Sequence, residues 1–380
     1  MKAAEIIADI LKREGVDILI AYPVNHVIEY SARADIRTII VRQERTGLHM
    51  ADAISRMSSG KTLGVFAMQH GPGAENAFGG VAQAYGESVP ILVLPQGYAR
   101  RIAHVDPNFN SVLNFKHVTK MAEPITSVKE IPNIFRRAFT QLRSGRGRPV
   151  LIEIPTDIYA EEFEGPLTYT PGLATKFGPD PEAVRQATDV LLAAKNPVIY
   201  AGQGVHYAEA WPQLKRLAEL LACPVTTSLE GKSAFPEDHP LALGSGGRAI
   251  PRTVHEYLNG ADVIFGVGCS FTETNFGVTI PKGKTIIHNT LDPVDVNKDV
   301  IAQHALIGDA GLMLDAMIEI VEESLGGKGR DATPVAADIA KMKADWLAEW
   351  MPKLTSNDAP LSPYRVLWDL GNTVDRDNTI

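Results

Sequence analysis

The sequence predicts an α/β protein made of two doubly wound parallel-sheet domains, with the start of a third domain at its C-terminus. Three observations predict it. Short, near-continuous apolar segments alternate with helical ones, which is the pattern of parallel sheets covered on both faces. The alternation breaks at residues 162–182, where prolines and glycines replace any sustained period. At 380 residues the chain is also too long for one ordinary domain. The expected domains are 1–165, 180–328 and a tail, 335–380, that opens the third.

The N-terminal helix is amphipathic, with Ile6, Ile7, Ile10 and Leu11 on one face. It lacks the apolar run and cleavage site of a signal peptide. A strand from Asp17 to Ala21 leads to Tyr22-Pro23-Val24-Asn25-His26. A second strand, Thr38 to Val41, runs into Arg42-Gln43-Glu44. The helix that follows carries Leu48, Ala51, Ile54 and Met57 at apolar spacing and stops at Gly60. A third strand, Thr62 to Met68, feeds Gln69-His70-Gly71-Pro72-Gly73-Ala74-Glu75-Asn76. A small-residue helix, Ala77 to Tyr85, precedes the strand Pro90 to Leu94. Asp106 to Lys120 has no clean period and reads as a loop over a site. Helix Ile131 to Leu142 and strand Pro149 to Ile154 close the first domain.

The second domain begins with helix Pro181 to Ala194. Its strands are expected at Pro197–Ala201, Pro224–Ser228, Asp262–Val267, Thr285–Thr290 and Ala305–Ile307, with helices at Ala208–Leu221 and Ala310–Leu325 between them. Gly326 to Gly329 reads as a hinge, and Val335 to Leu354 as a helix. Ser362 and Pro363 cap and open one more helix. Asn378-Thr379-Ile380 reads as the first residues of a strand.

A net charge of −8 argues against nucleic acid as a main partner. No apolar run is long enough to span a membrane. Cys223 and Cys269 have no metal-ligand spacing, and a reduced cytoplasmic setting is the simplest inference. The chain itself offers no metal site by motif. Gly202-Gln203-Gly204 is a weak dinucleotide signal, because the motif would place its third glycine at Tyr207. Asp292, at a strand end, could meet a ribose hydroxyl.

Glu44 is the centre of the functional reading. It sits where a buried strand ends and a helix begins, which is where ligand chemistry collects in open α/β sheets. A carboxyl group partly withdrawn from water there can hold or donate a proton near neutral pH. The plainer alternative, an acid stabilised by a helix N-terminus, stays open on position alone. His26 and His70 fall on loops that should converge with it.

These segments resemble the thiamine-diphosphate enzymes of the acetolactate synthase and 2-oxo-acid decarboxylase superfamily. The resemblance is carried by Tyr22-Pro23, Arg42-Gln43-Glu44 with His49 to Ala53, Gly71-Pro72-Gly73-Ala74-Glu75-Asn76, Ala84 to Pro90, and Gly147 to Asp157. It implies a pyrimidine-binding N-terminal domain and a Rossmann-like central domain. Glu44 would meet the pyrimidine N1′ of thiamine diphosphate, where proton exchange activates thiazolium C2 for attack on a 2-oxo acid. Tyr22, Pro23, Pro72 and Asn76 would join Glu44 in holding the cofactor. Asn25, His26, Gln69 and Asn110 are substrate-side candidates. Where acetolactate synthases commonly have glycine after Tyr-Pro, this chain has Val24.

The family holds the diphosphate through Mg²⁺ with a GDG motif and a later asparagine pair. Gly308-Asp309-Ala310 is not that motif, so the metal site is expected on a C-terminal domain outside this sequence. The isolated chain is then expected to be inactive. It would be part of a longer enzyme, or would be completed by a separate C-terminal half. The alternative is a non-catalytic or regulatory homologue. Some relatives carry FAD or an ADP-like group centrally, but nothing in the loops at 202–204, 244–248 and 268–271 is specific enough to predict one. Self-association as a dimer or tetramer is implied.

Overall fold

A computed structural model of the chain describes residues 1–375. The strand expected at 378–380 lies outside the described residues. The chain divides into two compact units, residues 1–177 and residues from 178 onward.

The first unit runs α1 (Ala3–Arg13), β1 (Ile18–Ala21), α2 (Val27–Arg33), β2 (Arg37–Ile40), α3 (Glu44–Met57), β3 (Gly64–Met68), α4 (Pro72–Gly86), β4 (Ile91–Gly97), α5 (Ser111–Phe115), β5 (Met121–Pro124), α6 (Ile131–Arg143) and β6 (Val150–Pro155). Its six strands are ordered β2-β1-β3-β4-β6-β5, and every pairing is parallel. The inner strands β3, β4 and β6 are buried along their whole length, while β2 and β5 at the edges are partly exposed.

Alternate residues of each inner strand enter opposite core layers, as the two-residue strand period requires. Leu19, Val65, Leu92 and Ile152 pack with Ile6, Ile7, Leu11, Phe135 and Phe139 on the α1–α6 side. Ile20, Phe66, Val93 and Leu151 pack with Leu48, Ala74, Val81 and Phe115 on the α3–α4 side. The segment expected to be a loop at 106–120 contains α5 and a 3₁₀ turn, Lys116–Val118; Asn110 caps α5 by accepting a bond from Leu113 N at 2.9 Å. Tyr169, in the proline-rich segment, is buried and donates its hydroxyl to Glu14. That segment is therefore tied to the first unit.

The second unit runs α7 (Pro181–Ala193), β7 (Pro197–Ala201), α8 (Gly204–Ala208), α9 (Trp211–Leu221), β8 (Val225–Thr227), β9 (Ala242–Ser245), α10 (Arg252–Gly260), β10 (Val263–Val267), β11 (Thr285–Thr290), β12 (His304–Ile307), α11 (Ala310–Ser324), α12 (Thr333–Leu354) and α13 (Pro363–Thr373). Its parallel sheet has the order β12-β11-β10-β7-β8-β9. Asp180 and Asp309 cap α7 and α11 with their carboxylates. Helix α12 rests on α10, with Ile339 in the core and Tyr257 donating to Asp338 at 2.9 Å. Helix α13 has no buried residue.

The loops that follow β7 and β10 meet backbone to backbone. Gly202 N donates to Val267 O at 2.8 Å, and Gly204 N to Gly268 O at 2.7 Å. Asp292, considered for a ribose, caps the 3₁₀ turn Pro293–Asp295 through Val294 N.

Candidate active site

In the first sheet the strand order reverses between β1 and β3, so the loops leaving those two strands diverge there. The loop after β1 carries Tyr22 to His26, and the loop after β3 carries Gln69 to Gly71. Glu44 enters the same region from the first turn of α3. Gln43, in extended backbone at φ −150° and ψ 134°, is the N-cap that turns strand into helix. Helix α3 is anchored behind by Arg56, whose guanidinium bonds Asp52 at 2.7 Å and Glu87, just beyond α4, at 2.6 Å.

Glu44 is only 5% exposed. Its Oε2 accepts a bond from Asn76 Nδ2 at 3.2 Å, and among the described residues Oε1 has no partner. Oε1 lies against the first turn of α4, where a Cβ at Gly73 would stand 3.3 Å away. The same Cβ would meet Gln69 Cβ at 3.0 Å. A glycine here keeps open a small space beside an acid oxygen. Gly71, the N-cap of α4, has φ 54°, and a Cβ on it would fall 2.7 Å from the Tyr98 hydroxyl. Tyr98 in turn meets the ring of His70 edge-on at 4.6 Å, and the buried Nδ1 of His70 has no partner among the described residues.

The structure thus brings Glu44, Asn76, Gln69 and the turn that starts at Pro72 together. Tyr22 is half-buried beside them, and its N–H donates to Ala67 O at 2.9 Å. Pro23 is exposed on the same loop. Asn25 is spent on the scaffold. Its amide donates to Met68 O at 2.9 Å and Leu94 O at 3.1 Å, while its oxygen accepts from Val27 N and from the Tyr159 hydroxyl. His26 lies exposed against the ring of Tyr159 at 4.8 Å, and Asn110 caps α5.

A family model for the thiamine pyrophosphate enzyme N-terminal TPP-binding domain matches residues 1–121, and one for the central domain matches residues 184–317. The chain belongs to the thiamine pyrophosphate enzymes. It is 33% identical to a probable acetolactate synthase large subunit of Methanocaldococcus jannaschii, over 97% of this chain and 63% of that protein. It is 30% identical to the acetolactate synthase isozyme 3 large subunit of Escherichia coli, over 97% of this chain and 66% of that protein. The chain therefore spans about two thirds of the length of these relatives. The crystal structure of benzoylformate decarboxylase from Polynucleobacter necessarius superposes with a TM-score of 0.75 at 23% identity, covering 87% of this chain and 62% of that one. At that identity the likeness shows the fold.

The site suits the pyrimidine end of the thiamine pyrophosphate this family uses. A buried carboxyl with one oxygen committed and the other turned toward a glycine-lined space can meet a ring nitrogen. Among the described residues there is no group of three or more His, Cys, Asp or Glu side chains placed to hold a metal ion.

Tyr98 and Glu153 were missed by sequence reasoning. Tyr98 directly follows a buried strand that continues to Gly97, three residues beyond its expected end. Glu153 sits in β6, where its apolar neighbours hide a buried acid. Burial pushes its carboxyl above the usual range, against the opposing influence of hydrogen bonds from Ser111 and the nearby His104.

Proposed function

We propose that this chain is the pyrimidine-binding and central part of a thiamine-diphosphate-dependent carbon–carbon lyase or ligase acting on a 2-oxo acid, of the acetolactate synthase type. The observation that carries this reading is Glu44, buried at the strand-order reversal and bonded to Asn76. When bound, the cofactor supplies a nucleophile for the 2-oxo carbonyl and an electron sink for decarboxylation. Glu44 would exchange a proton with the pyrimidine N1′ through Oε1 while Asn76 fixes Oε2. The first turn of α4 from Pro72, with Tyr22 and Pro23, would wall the ring and keep water from the carboxyl. Gln69, beside Gly73, would face the substrate.

The diphosphate and its Mg²⁺ would be held by residues outside these 380, which is consistent with the chain's coverage of its relatives. Self-association and a cytoplasmic setting belong to the same proposal; no described helix is long and apolar enough to cross a membrane.

The test is Glu44→Gln in the enzyme that carries this chain, loaded with thiamine diphosphate and Mg²⁺. Proton–deuterium exchange at thiazolium C2 should slow by roughly a hundredfold or more. Exchange at the unaltered rate would remove Glu44 from the chemistry and the reading with it.

A further inference from the structure

Nine described residues other than glycine have backbone in the left-handed region, and Val24 is the only β-branched one among them. Its φ is 69°. A branched Cβ is crowded by its own carbonyl in that conformation, so valine is among the least suited residues there and glycine the best suited. Neighbouring bonds hold the strain in place. On one side, Tyr22 N is bonded to Ala67 O. On the other, all four hydrogen bonds of the Asn25 side chain lock the next residue to β3, β4, Tyr159 and the start of α2.

The strain secures no packing, because Val24 is 62% exposed. Nor does it serve the turn, which a glycine would make more easily. What remains is the position of the isopropyl group, on the loop that Asn25 bonds to the carbonyl of Met68, the residue before Gln69. Strained residues of this kind concentrate at functional sites.

Resting on the function proposed above, we infer that Val24 is a specificity-determining residue: its isopropyl group narrows the substrate side of the site and favours 2-oxo acids with a small substituent on the carbonyl carbon. Removing the group should widen that space and relieve the backbone at the same time. The two effects are read separately.

Two variants, Val24→Gly and Val24→Ala, are made in the 380-residue chain and in the enzyme that carries it. In the chain, the thermal midpoint of V24G should rise by about 2–4 °C. V24A keeps a Cβ in the left-handed region and should gain less. In the loaded enzyme, kcat/KM is measured for pyruvate, 2-oxobutanoate and 3-methyl-2-oxobutanoate. The ratio of the bulkiest to the smallest should rise on the order of tenfold in V24G, with V24A between. A midpoint that stays or falls in V24G overturns the strain argument and the proposal. An unchanged ratio, with Glu44→Gln still abolishing turnover, overturns the proposal and leaves the function standing. Turnover that survives Glu44→Gln, or wild-type enzyme that consumes no 2-oxo acid, overturns the function and this inference together.

Discussion

Replacing Gly64 by alanine should displace the helix that carries Glu44. Gly64 opens β3 where α3 crosses it, and a Cβ built there falls 1.8 Å from the carbonyl oxygen of Ala51 and 2.6 Å from its carbonyl carbon. Both are backbone atoms of α3, so no side-chain rotation can clear the clash. Restoring an ordinary contact of 3.4 Å moves α3 away from β3 by about 1.6 Å. The shift also stretches a buried relay, in which Ser55 Oγ accepts from Gly64 N at 2.8 Å and donates to Pro90 O at 2.5 Å. Overpacking of this kind costs about 1–3 kcal/mol, and the strained hydrogen bonds add about 1 kcal/mol. Urea denaturation of the 380-residue chain should show the first unit losing about 2–4 kcal/mol. Gly80→Ala is the control. The three atoms nearest its Cβ all belong to the Leu48 side chain, the shortest contact being 2.4 Å to Cδ2, a side-chain tip rather than backbone. The helical gain of alanine over glycine, about 1 kcal/mol, offsets much of that cost. A G64A chain within about 0.5 kcal/mol of wild type would refute the claim that backbone contact sets the spacing of α3 and β3.

Arg143→Ala should destabilise the first unit by about 3 kcal/mol in the same assay, because the Glu14 side chain it bonds is fully buried and, among the described residues, keeps only the Tyr169 hydroxyl as a side-chain donor; a loss under about 1 kcal/mol would mean that water replaces the guanidinium. Glu153→Gln should stabilise the chain at pH 7–8. Burial raises the Glu153 carboxyl in the folded state, so its contribution is complete below the unfolded-state value and is lost as pH rises through the folded one. The difference between wild type and variant, followed by denaturation midpoints from pH 3 to 8, should therefore grow with pH; a difference that is flat with pH refutes the assignment.

The two-sheet architecture was legible because strands buried on both faces leave little room for polar residues. Val65-Phe66-Ala67-Met68 and Ile91-Leu92-Val93-Leu94 are apolar throughout and too short for helices, which leaves buried strands as the favoured reading. Elements whose sequence is decided by edges or caps were not legible. β5 lies at a sheet edge and is only partly buried, so its Met-Ala-Glu-Pro has no apolar run. Helix α2 is only seven residues long, and α10 buries just Thr253, Val254 and Leu258. Glu44 could be placed because a strand end and a helix start bracket it. Its bond to Asn76 joins residues 32 apart in sequence, a meeting fixed by the α3–α4 packing rather than by any local pattern. Asn25 shows the same limit: its place on the loop could be read locally, while its four hydrogen bonds reach partners as far as 134 residues away.

The Asn25 brace and the glycine seam above β7 and β10 fasten the rims of the two sheets by different means. In the second unit, main-chain bonds at 2.7 and 2.8 Å stitch the two loops, so prising them apart would require the backbone itself to move. Above β1 and β3 one main-chain bond, Tyr22 N to Ala67 O at 2.9 Å, does the same, and the side-chain amide of Asn25 adds bonds to Met68 O of β3 and Leu94 O of β4. Of the two rims, the one beside Glu44 is the one that hangs in part on a side chain, and letting go of it means breaking four hydrogen bonds at once.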